Sequence, residues 1–242
     1  MANGPFHPIL ARPARWIRQL GLAGSLLLAS ALLLGPAPAQ ASGEGVLAQR
    51  VEHWPAWQLP APLSRPGRAD LLYPDWFLGA WQLSSSDGTS AQVRFIATAD
   101  GVVGDRAFNA EAIGRSLLGG QLLSVANDPA NPNRQIARLQ GSDGRPLELE
   151  STVVGRRREQ PDATELLVDE LALQVLHGGG DPVVSRIETL SLFQRQADGT
   201  INAEQWQASY PSPALGLAAA AGRSDHVSLR LERVVPPGDP AS

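Results

Sequence analysis

Two residue types are missing from this sequence of 242 residues, which contains no cysteine and no lysine. Without cysteine the chain can form no disulfide bond, no zinc–thiolate site and no iron–sulfur cluster, and it has no thiol nucleophile. All 20 of its basic residues are arginines. This bias indicates a GC-rich genome, because arginine codons are GC-rich, and it excludes no class of partner.

The charge balance is acidic, with 24 Asp and Glu residues against the 20 arginines and a formal net charge of −4. A nucleic-acid-binding protein needs a basic face, so this balance argues against nucleic acid as a partner. Hydrophobic residues make up 43% of the chain, which is typical of a folded core rather than a disordered chain.

The first 41 residues have the layout of a secretory signal peptide. An uncharged apolar run spans residues 20–34, and a small-residue cleavage site ends at Ala41. Three basic residues precede the run, namely Arg12, Arg15 and Arg18. Because the run is shorter than the roughly 20 residues that span a bilayer, we expect cleavage before Ser42; the alternative is an uncleaved N-terminal anchor. The cleaved chain would have no transmembrane segment and 17 arginines against 24 acids, a net charge of −7.

The remaining chain divides into three segments by composition. Residues 42–72 form a lead-in whose prolines predict no regular structure, and we expect its Trp54 and Trp57 rings to dock on the domain that follows. Residues 73–235 form that domain. Residues 236–242, with three prolines, form a flexible tail.

Short strands separated by turn residues predict a mainly β domain. Apolar Ala91, Val93 and Phe95 alternate with polar neighbours, as in a half-buried strand. Eight to ten such strands, several joined by Asp-Gly turns, are typical of an antiparallel barrel or sandwich. Residues 164–177 fit a helix or a strand, and we favour a strand because their neighbours are strands. One short helix is predicted, with Asn109 as its N-cap and a Gly-Gly pair at its end.

A Gly-x-Trp pattern opens the first strand of the domain. It consists of Gly79 and Trp81, and Arg233 lies in phase with the inward-facing apolar residues of the last strand. This arrangement resembles the floor of lipocalin-like (calycin) barrels, in which a terminal arginine packs across the tryptophan ring. The resemblance implies an antiparallel lipocalin-like barrel and a structural floor pair, Trp81 and Arg233, with a cation–π contact of about 1 kcal/mol.

A longer resemblance covers nearly the whole domain, about residues 68–235. It is carried by four strings, by a dipeptide and by the closing strand: YPDWFLGAW at 73–81, DRAFN at 105–109, DPANPNRQ at 128–135, STVVGR at 151–156, Glu188-Thr189, and residues 229–233. These strings are similar to an uncharacterised family of lumenal proteins from cyanobacteria and plant plastids. The resemblance implies a thylakoid-lumen or periplasmic location. It assigns no reaction, so it supplies no catalytic residues.

No constellation in the sequence predicts catalysis, a metal site or a cofactor. His177 and the three glycines after it resemble the oxyanion loop of lipases, but that motif requires a downstream Gly-x-Ser-x-Gly elbow and a βαβ framework, which the sequence lacks. The other histidines of the cleaved chain, His53 and His226, do not pair with it at metal-binding spacing. We therefore expect a non-enzymatic protein with no metal and no cofactor.

Two polar clusters in predicted loops are candidates for recognition at one end of the barrel. The first consists of Asp105 and Arg106, and the second of Asn131, Asn133 and Arg134. The Asn-Pro-Asn sequence also favours a turn in which the asparagine side chains bind nearby backbone. Each cluster is therefore either a turn element or a recognition element.

A third candidate is a run of three arginines at residues 156–158. Such a run is either a solvated strand end or a site for an anionic group.

Three functions fit these observations. The first is an exported monomer that binds a small apolar ligand, of the lipid or pigment class, inside the barrel. The second is an assembly or maintenance factor that docks on a photosynthetic membrane complex and has a filled barrel. The third is an enzyme, for which a buried pair of carboxylates or a histidine in a cleft would be the sign. The volume of the interior cavity discriminates between the first two.

Overall fold

The computed structural model of the chain describes residues 45–234. The predicted signal peptide, residues 1–41, and the predicted tail, residues 236–242, lie outside them. The described residues form two α-helices, α1 (Val46–Glu52) and α2 (Arg106–Leu118). They also form thirteen strands: β1 (Gln58–Leu59), β2 (Leu72–Tyr73), β3 (Gly79–Ser85), β4 (Ser90–Thr98), β5 (Gly101–Gly104), β6 (Leu122–Asp128), β7 (Asn131–Gln140), β8 (Pro146–Glu159), β9 (Glu165–Gly178), β10 (Gly180–Arg195), β11 (Ile201–Tyr210), β12 (Ala219–Ala220) and β13 (Arg223–Arg233).

Eleven of these strands form one antiparallel sheet that is strongly curled into a half-barrel. Their order is β2-β5-β4-β3-β13-β11-β10-β9-β8-β7-β6. The edge strands β2 and β6 do not pair with each other, and α2 packs against both β4 and β6 on the inner side. The prediction of a mainly β, antiparallel domain is confirmed.

The predicted number of eight to ten strands is too low. The sheet has eleven, and a separate pair of two-residue strands, β1 and β12, raises the total to thirteen in the part of the chain that the structure describes. Strands of two to four residues, such as β2 and β5, are too short for an alternating pattern to show in the sequence.

The inner, concave face of the sheet carries the main core. On β4 the side chains of Ala91, Val93 and Phe95 are buried while their neighbours are exposed, as the alternation predicts. On β9, by contrast, Glu165–Asp169 are all buried, because here a second layer covers the outer face as well. A strand that is buried on both sides loses its alternation, which is why this segment fits a helix as well as a strand.

The second layer is the N-terminal part of the described chain, residues 45–61, which we call the strap. Leu47 of α1, Trp57 and Leu59 are buried and pack on the convex face of strands β9, β10 and β11. The prediction that the lead-in has no regular structure is therefore wrong, because it contains α1 and β1. The prolines lie around these short elements rather than within them, so they do not prevent them. The prediction that Trp57 docks on the domain is confirmed.

Helix α2 begins earlier than predicted, and its N-cap is Asp105, whose side chain accepts a hydrogen bond from the backbone nitrogen of Phe108. Asn109, predicted as the cap, lies inside the helix and is buried. Its side-chain amide bonds both backbone groups of Arg94 on β4, at 2.7 Å to the nitrogen and 2.9 Å to the oxygen. The amide thus continues the pairing of the sheet into the helix and helps to fasten α2 across the open side of the half-barrel.

Candidate functional site

The floor of the half-barrel is built around Trp81, which is fully buried. The guanidinium carbon of Arg233 lies 4.5 Å from the centre of the Trp81 ring. The indole nitrogen donates to the carbonyl of Phe77 at 2.6 Å, and Arg233 donates to the carbonyl of Leu78 at 2.8 Å.

The conformation and surroundings of Gly79 explain why the Gly-x-Trp pattern has a glycine at this position. Its φ of +120° is unfavourable for other residues, and a Cβ there would lie 2.8 Å from a guanidinium nitrogen of Arg233. The structure therefore brings Gly79, Trp81 and Arg233 together as one packing unit.

A small cavity lies on the concave face, with a volume of about 60 Å³. For comparison, an apolar cavity of about 150 Å³ binds benzene, and drug-sized ligands occupy roughly 300–1,000 Å³. Four polar side chains contribute to its lining, namely Glu170, Thr189, Ser191 and Gln205. The amide nitrogen of Gln205 donates to the Ser191 hydroxyl at 2.9 Å, but its Oε1 atom is buried and has no donor within residues 45–234. This cavity is therefore small, and one of the groups that line it has no hydrogen-bond partner among the described residues.

A network of charged side chains lies beside this cavity. Glu170 is held by Arg156, with two contacts of 2.7 Å, and by Arg106 at 3.8 Å. Arg156 also donates to the side chain of Asn133 at 2.7 Å. Burial, followed by the charge of Glu170, raises the pKa of the Tyr73 hydroxyl, so this phenol stays neutral.

The predicted recognition residues all have partners within the chain. Of the five, the network connects Arg106 and Asn133, through Glu170 and Arg156. The other three lie elsewhere: Asp105 pairs with Arg94, Asn131 bonds the backbone nitrogen of Asn133, and Arg134 pairs with Glu150 and Asp128.

Two members of the network form hydrogen bonds with the backbone of residues 67–69, in the segment that crosses the open side of the half-barrel. Asn133 donates to the carbonyls of Gly67 and Ala69, and Arg156 donates to the same carbonyl of Ala69. Within the arginine run, Arg158 likewise donates to the carbonyl of Leu72 at 2.8 Å. Asn133 lies in strand β7 rather than in the predicted loop, and Arg156 and Arg158 lie in β8. All three side chains bind the protein's own backbone.

The convex face holds a second polar cluster, which lies beneath the strap. Glu188 is fully buried and binds Arg50 of α1 through two hydrogen bonds, of 2.9 Å from Nε and 2.8 Å from Nη2. The hydroxyl of Tyr210 donates to the same carboxylate. Burial, followed by the charge of Glu188, raises the pKa of Tyr210. Arg50 also lies over the Trp57 ring, at 4.9 Å from its centre.

Asp169 lies beside Glu188 and is also fully buried. Neither of its carboxyl oxygens has a donor among the described residues. Burial, followed by the charge and the side chain of the neighbouring Glu188, raises the pKa of Asp169 well above its ordinary value. A raised pKa favours the neutral acid form of Asp169 over the carboxylate.

The loop at residues 211–217 presents the most exposed large apolar side chains among the described residues. Leu215 is 81% exposed and Leu217 is 79% exposed. The buried guanidinium of Arg186 holds the loop through three backbone carbonyls: Pro211 and Leu217 at 2.9 Å, and Gly216 at 3.0 Å. A loop with three such bonds to one buried side chain is held in a fixed conformation, so the two leucines are held out towards solvent.

The sequence analysis missed three of these features, namely the Asp169–Glu188 pair, the Arg186 clamp and the exposed leucines. The pair could not be found, because it depends on the register between β9 and β10. A signal for the loop was present: no charged residue occurs between Tyr210 and Arg223.

Two of the three histidines among the described residues lie beside an acid. His177 lies 3.3 Å from Glu150, and His226 lies 2.8 Å from Glu204. Within residues 45–234, no group of three or more His, Asp or Glu side chains is placed to hold a metal ion. In the same range no helix is long and apolar enough to cross a membrane.

Comparison with known proteins yields one family. A family model described as a domain of unknown function (DUF6816) matches residues 85–227, which is more than half of the chain. No curated protein and no solved structure matches the sequence. The matched region contains the acid pair, the Arg186 clamp and the exposed loop, whereas Trp81 and Arg233 lie outside it.

Proposed function

Because the chain belongs to the DUF6816 family, a domain of unknown function, we propose its function from its geometry: it is a non-enzymatic docking protein whose 211–217 loop binds an apolar groove on a protein partner. The observation that carries this proposal is the loop itself. Leu215 and Leu217 are about four-fifths exposed, and Arg186 fixes the backbone that presents them. Exposed apolar side chains that a structure fixes in place are typical of interaction sites.

The composition of the loop favours a protein groove over a lipid surface. Residues 211–222 contain no charged residue and no aromatic residue. Segments that bind an anionic membrane surface do so with arginine or lysine, and interfacial segments anchor with tryptophan or tyrosine. Two leucines without either feature fit a groove that buries them on all sides.

The size of the cavity supports docking as the function rather than transport of a ligand. About 60 Å³ is less than half the volume that takes a benzene molecule, so a lipid or a pigment does not fit in this cavity. A photosynthetic membrane complex in the thylakoid lumen, or its counterpart in the periplasm, is the partner that the lumenal resemblance suggests. The predicted signal peptide supports an exported location of this kind.

The experiment uses the absence of cysteine. A photo-crosslinker attached to Ala214→Cys, the only thiol in that chain, reports what lies against the loop in the protein's own cells. We expect one protein to be crosslinked. The double variant Leu215→Ser/Leu217→Ser should lower this crosslinking at least about 100-fold, since each buried leucine contributes about 1.5–3 kcal/mol.

The matched control is Leu123→Ser, which changes a half-exposed leucine on β6. It should leave the crosslinked product unchanged. Equal crosslinking by the double variant and the control would contradict the proposal. Crosslinking to lipid, or to a second copy of this chain, would replace the protein partner with a membrane or with self-association.

One observation favours a second candidate function, the binding of a small molecule that carries a hydrogen-bond donor. The Oε1 atom of Gln205 lines the cavity and lacks a donor, and a ligand O–H or N–H group would satisfy it. The apolar ligand predicted from the sequence would not. Native mass spectrometry of the protein from its own source tests this candidate, because a bound molecule would raise the mass of the wild-type protein and not that of Gln205→Leu.

A further inference from the structure

The convex face has an imbalance of charge that the inner face lacks. Two buried carboxyl groups, Asp169 and Glu188, lie together under the strap, and Arg50 is the guanidinium that reaches them. Burying a second carboxylate without its own cation is costly, so Asp169 is buried as the neutral acid. When the strap lifts, water reaches the pair and Arg50 leaves with α1. Asp169 then returns to the environment of an ordinary, ionised aspartate.

We propose that the strap is a proton-linked latch: its closure takes up one proton at Asp169, and its opening releases that proton.

The latch connects directly to the 211–217 loop. Strand β1 of the strap pairs with β12, which follows the loop, through Gln58 opposite Ala220 and Leu59 opposite Ala219. The backbone nitrogen of Ala221 also donates to the carbonyl of Trp57 at 3.0 Å. Opening of the strap therefore removes one side of the support of the docking loop.

Other ionisable groups around Asp169 do not supply the missing cation. On β10 and β11 the neighbours are Glu188 and Tyr210, and the phenol is neutral. On β8, Arg157 lies opposite Asp169 in the sheet register, but its Nε bonds Glu159 at 2.6 Å. Glu159 in turn accepts a hydrogen bond from the backbone nitrogen of Leu47 at 3.1 Å. Glu170 points to the concave face and adds a further negative charge behind the pair.

The sign of the pH dependence follows from the state that holds the proton. The closed strap binds one proton more than the open strap at any pH between the pKa of Asp169 in the two states. Closure is therefore favoured as the pH falls, and opening is favoured as it rises. Docking through the loop should follow the same direction, a consequence that rests on the proposed function.

The test measures opening of the strap with a single thiol. Ala48→Cys places the only cysteine of the chain on the buried side of α1, where a maleimide reacts only when the strap opens. Ser142→Cys, in an exposed turn, serves as the reference and corrects for the pH dependence of the thiol itself. We expect the corrected labelling rate to rise at least about tenfold between pH 5 and pH 8.

The variant Asp169→Asn, combined with Ala48→Cys, should label at the same corrected rate at both values, because its amide needs no proton to bond Glu188. Equal pH dependence in the two proteins would overturn the proposal. A second measurement needs no substitution: the infrared spectrum of the folded wild-type protein at pH 7 should contain the band of a protonated carboxyl group. Absence of that band would also overturn it.

The two proposals fail in distinguishable ways. If labelling of the strap depends on pH but the Leu215→Ser/Leu217→Ser variant still binds its partner, the latch stands and the docking function fails. If the double variant loses its partner but labelling is the same at pH 5 and pH 8, docking stands and the latch fails.

Discussion

The two faces of strand β9 carry neighbouring acids with opposite surroundings. Glu170 faces the concave side, where the guanidinium groups of Arg156 and Arg106 both lie close to it. Asp169 faces the convex side, where it shares a single arginine with Glu188. On the concave side Arg106 also pairs with Asp70, at 3.5 Å, so two arginines face two acids there, whereas on the convex side two acids share one arginine. On our proposal, this difference means that the inner charges stabilise a single state of the fold, whereas the outer charges allow both a closed and an open strap.

The layers that cover these faces differ in the same way. The inner face is covered by α2 and by a continuous core around Trp81, and it belongs to the half-barrel itself. The outer face is covered by the strap, a short segment with one helix of seven residues. A segment with few buried contacts unfolds locally at a lower free energy than the core of the domain. We therefore expect the two faces to respond differently to equivalent substitutions.

The largest difference should come from two buried tryptophans, one on each face. Trp81→Ala should lower the free energy of unfolding by about 3–5 kcal/mol, because its ring fills the floor of the half-barrel. Trp57→Ala removes a ring that is equally buried, but its cost cannot exceed the free energy of closing the strap. Denaturant unfolding of both variants measures this. Equal losses would mean that the strap and the half-barrel unfold together.

A smaller difference is expected for the arginines of the two faces. Arg50→Met leaves Glu188 without its guanidinium and should shift the strap towards the open state by about 3 kcal/mol, seen as a roughly 100-fold rise in labelling of Ala48→Cys. Arg106→Met leaves Glu170 with Arg156 and should not change this labelling. A rise in both variants would show that the two charge clusters are coupled through the sheet.

The next effect is expected for Asp169 itself. Burial raises its pKa in the folded protein, so the associated stability is complete below about pH 4 and is lost as the pH rises through the raised pKa. Asp169→Asn should therefore match the wild-type protein at pH 4 and exceed its free energy of unfolding at pH 8, by on the order of 1 kcal/mol. Asp181→Asn, at an exposed position, is the matched control and should have no effect at either pH.

The smallest effect on stability should come from the most exposed residues. Leu215→Ser/Leu217→Ser should change the free energy of unfolding by no more than about 0.5 kcal/mol, because neither side chain packs on the protein. Calorimetry should show a much larger loss of stability for Leu83→Ser, because Leu83 lies in the inner core. The comparison therefore distinguishes residues that stabilise the fold from residues that are free to bind a partner. A large loss in the double variant would mean that the leucines are structural.

Local patterns predicted the parts of this fold that depend on neighbouring residues. The alternation at Ala91, Val93 and Phe95 identified β4, and the Asp-Gly turns identified several hairpins. The helix start was displaced because Asp105 and Asn109 are both good caps, and only the packing of Asn109 against Arg94 decides between them.

The candidate site depends on contacts between distant parts of the chain, which sequence patterns do not contain. Arg50 and Glu188 are 138 residues apart, and nothing near either of them indicates the other. In the sequence, Asp169 is one of three acids in a largely apolar strand. It becomes a buried acid without its own cation only through the sheet register and through the strap, which the prolines of the lead-in did not predict.

The floor of the half-barrel has a consequence for how this sequence can change. Any side chain at position 79 would collide with Arg233, and without Arg233 the ring of Trp81 would lose the cation above it. Replacement of Arg233 or Trp81 removes the reason for keeping the other, whereas the φ of +120° at position 79 favours glycine in either case. Among descendants of this sequence, Trp81 and Arg233 should therefore be inherited or replaced together, so that the tryptophan indicates the presence of an arginine 152 positions further along the chain.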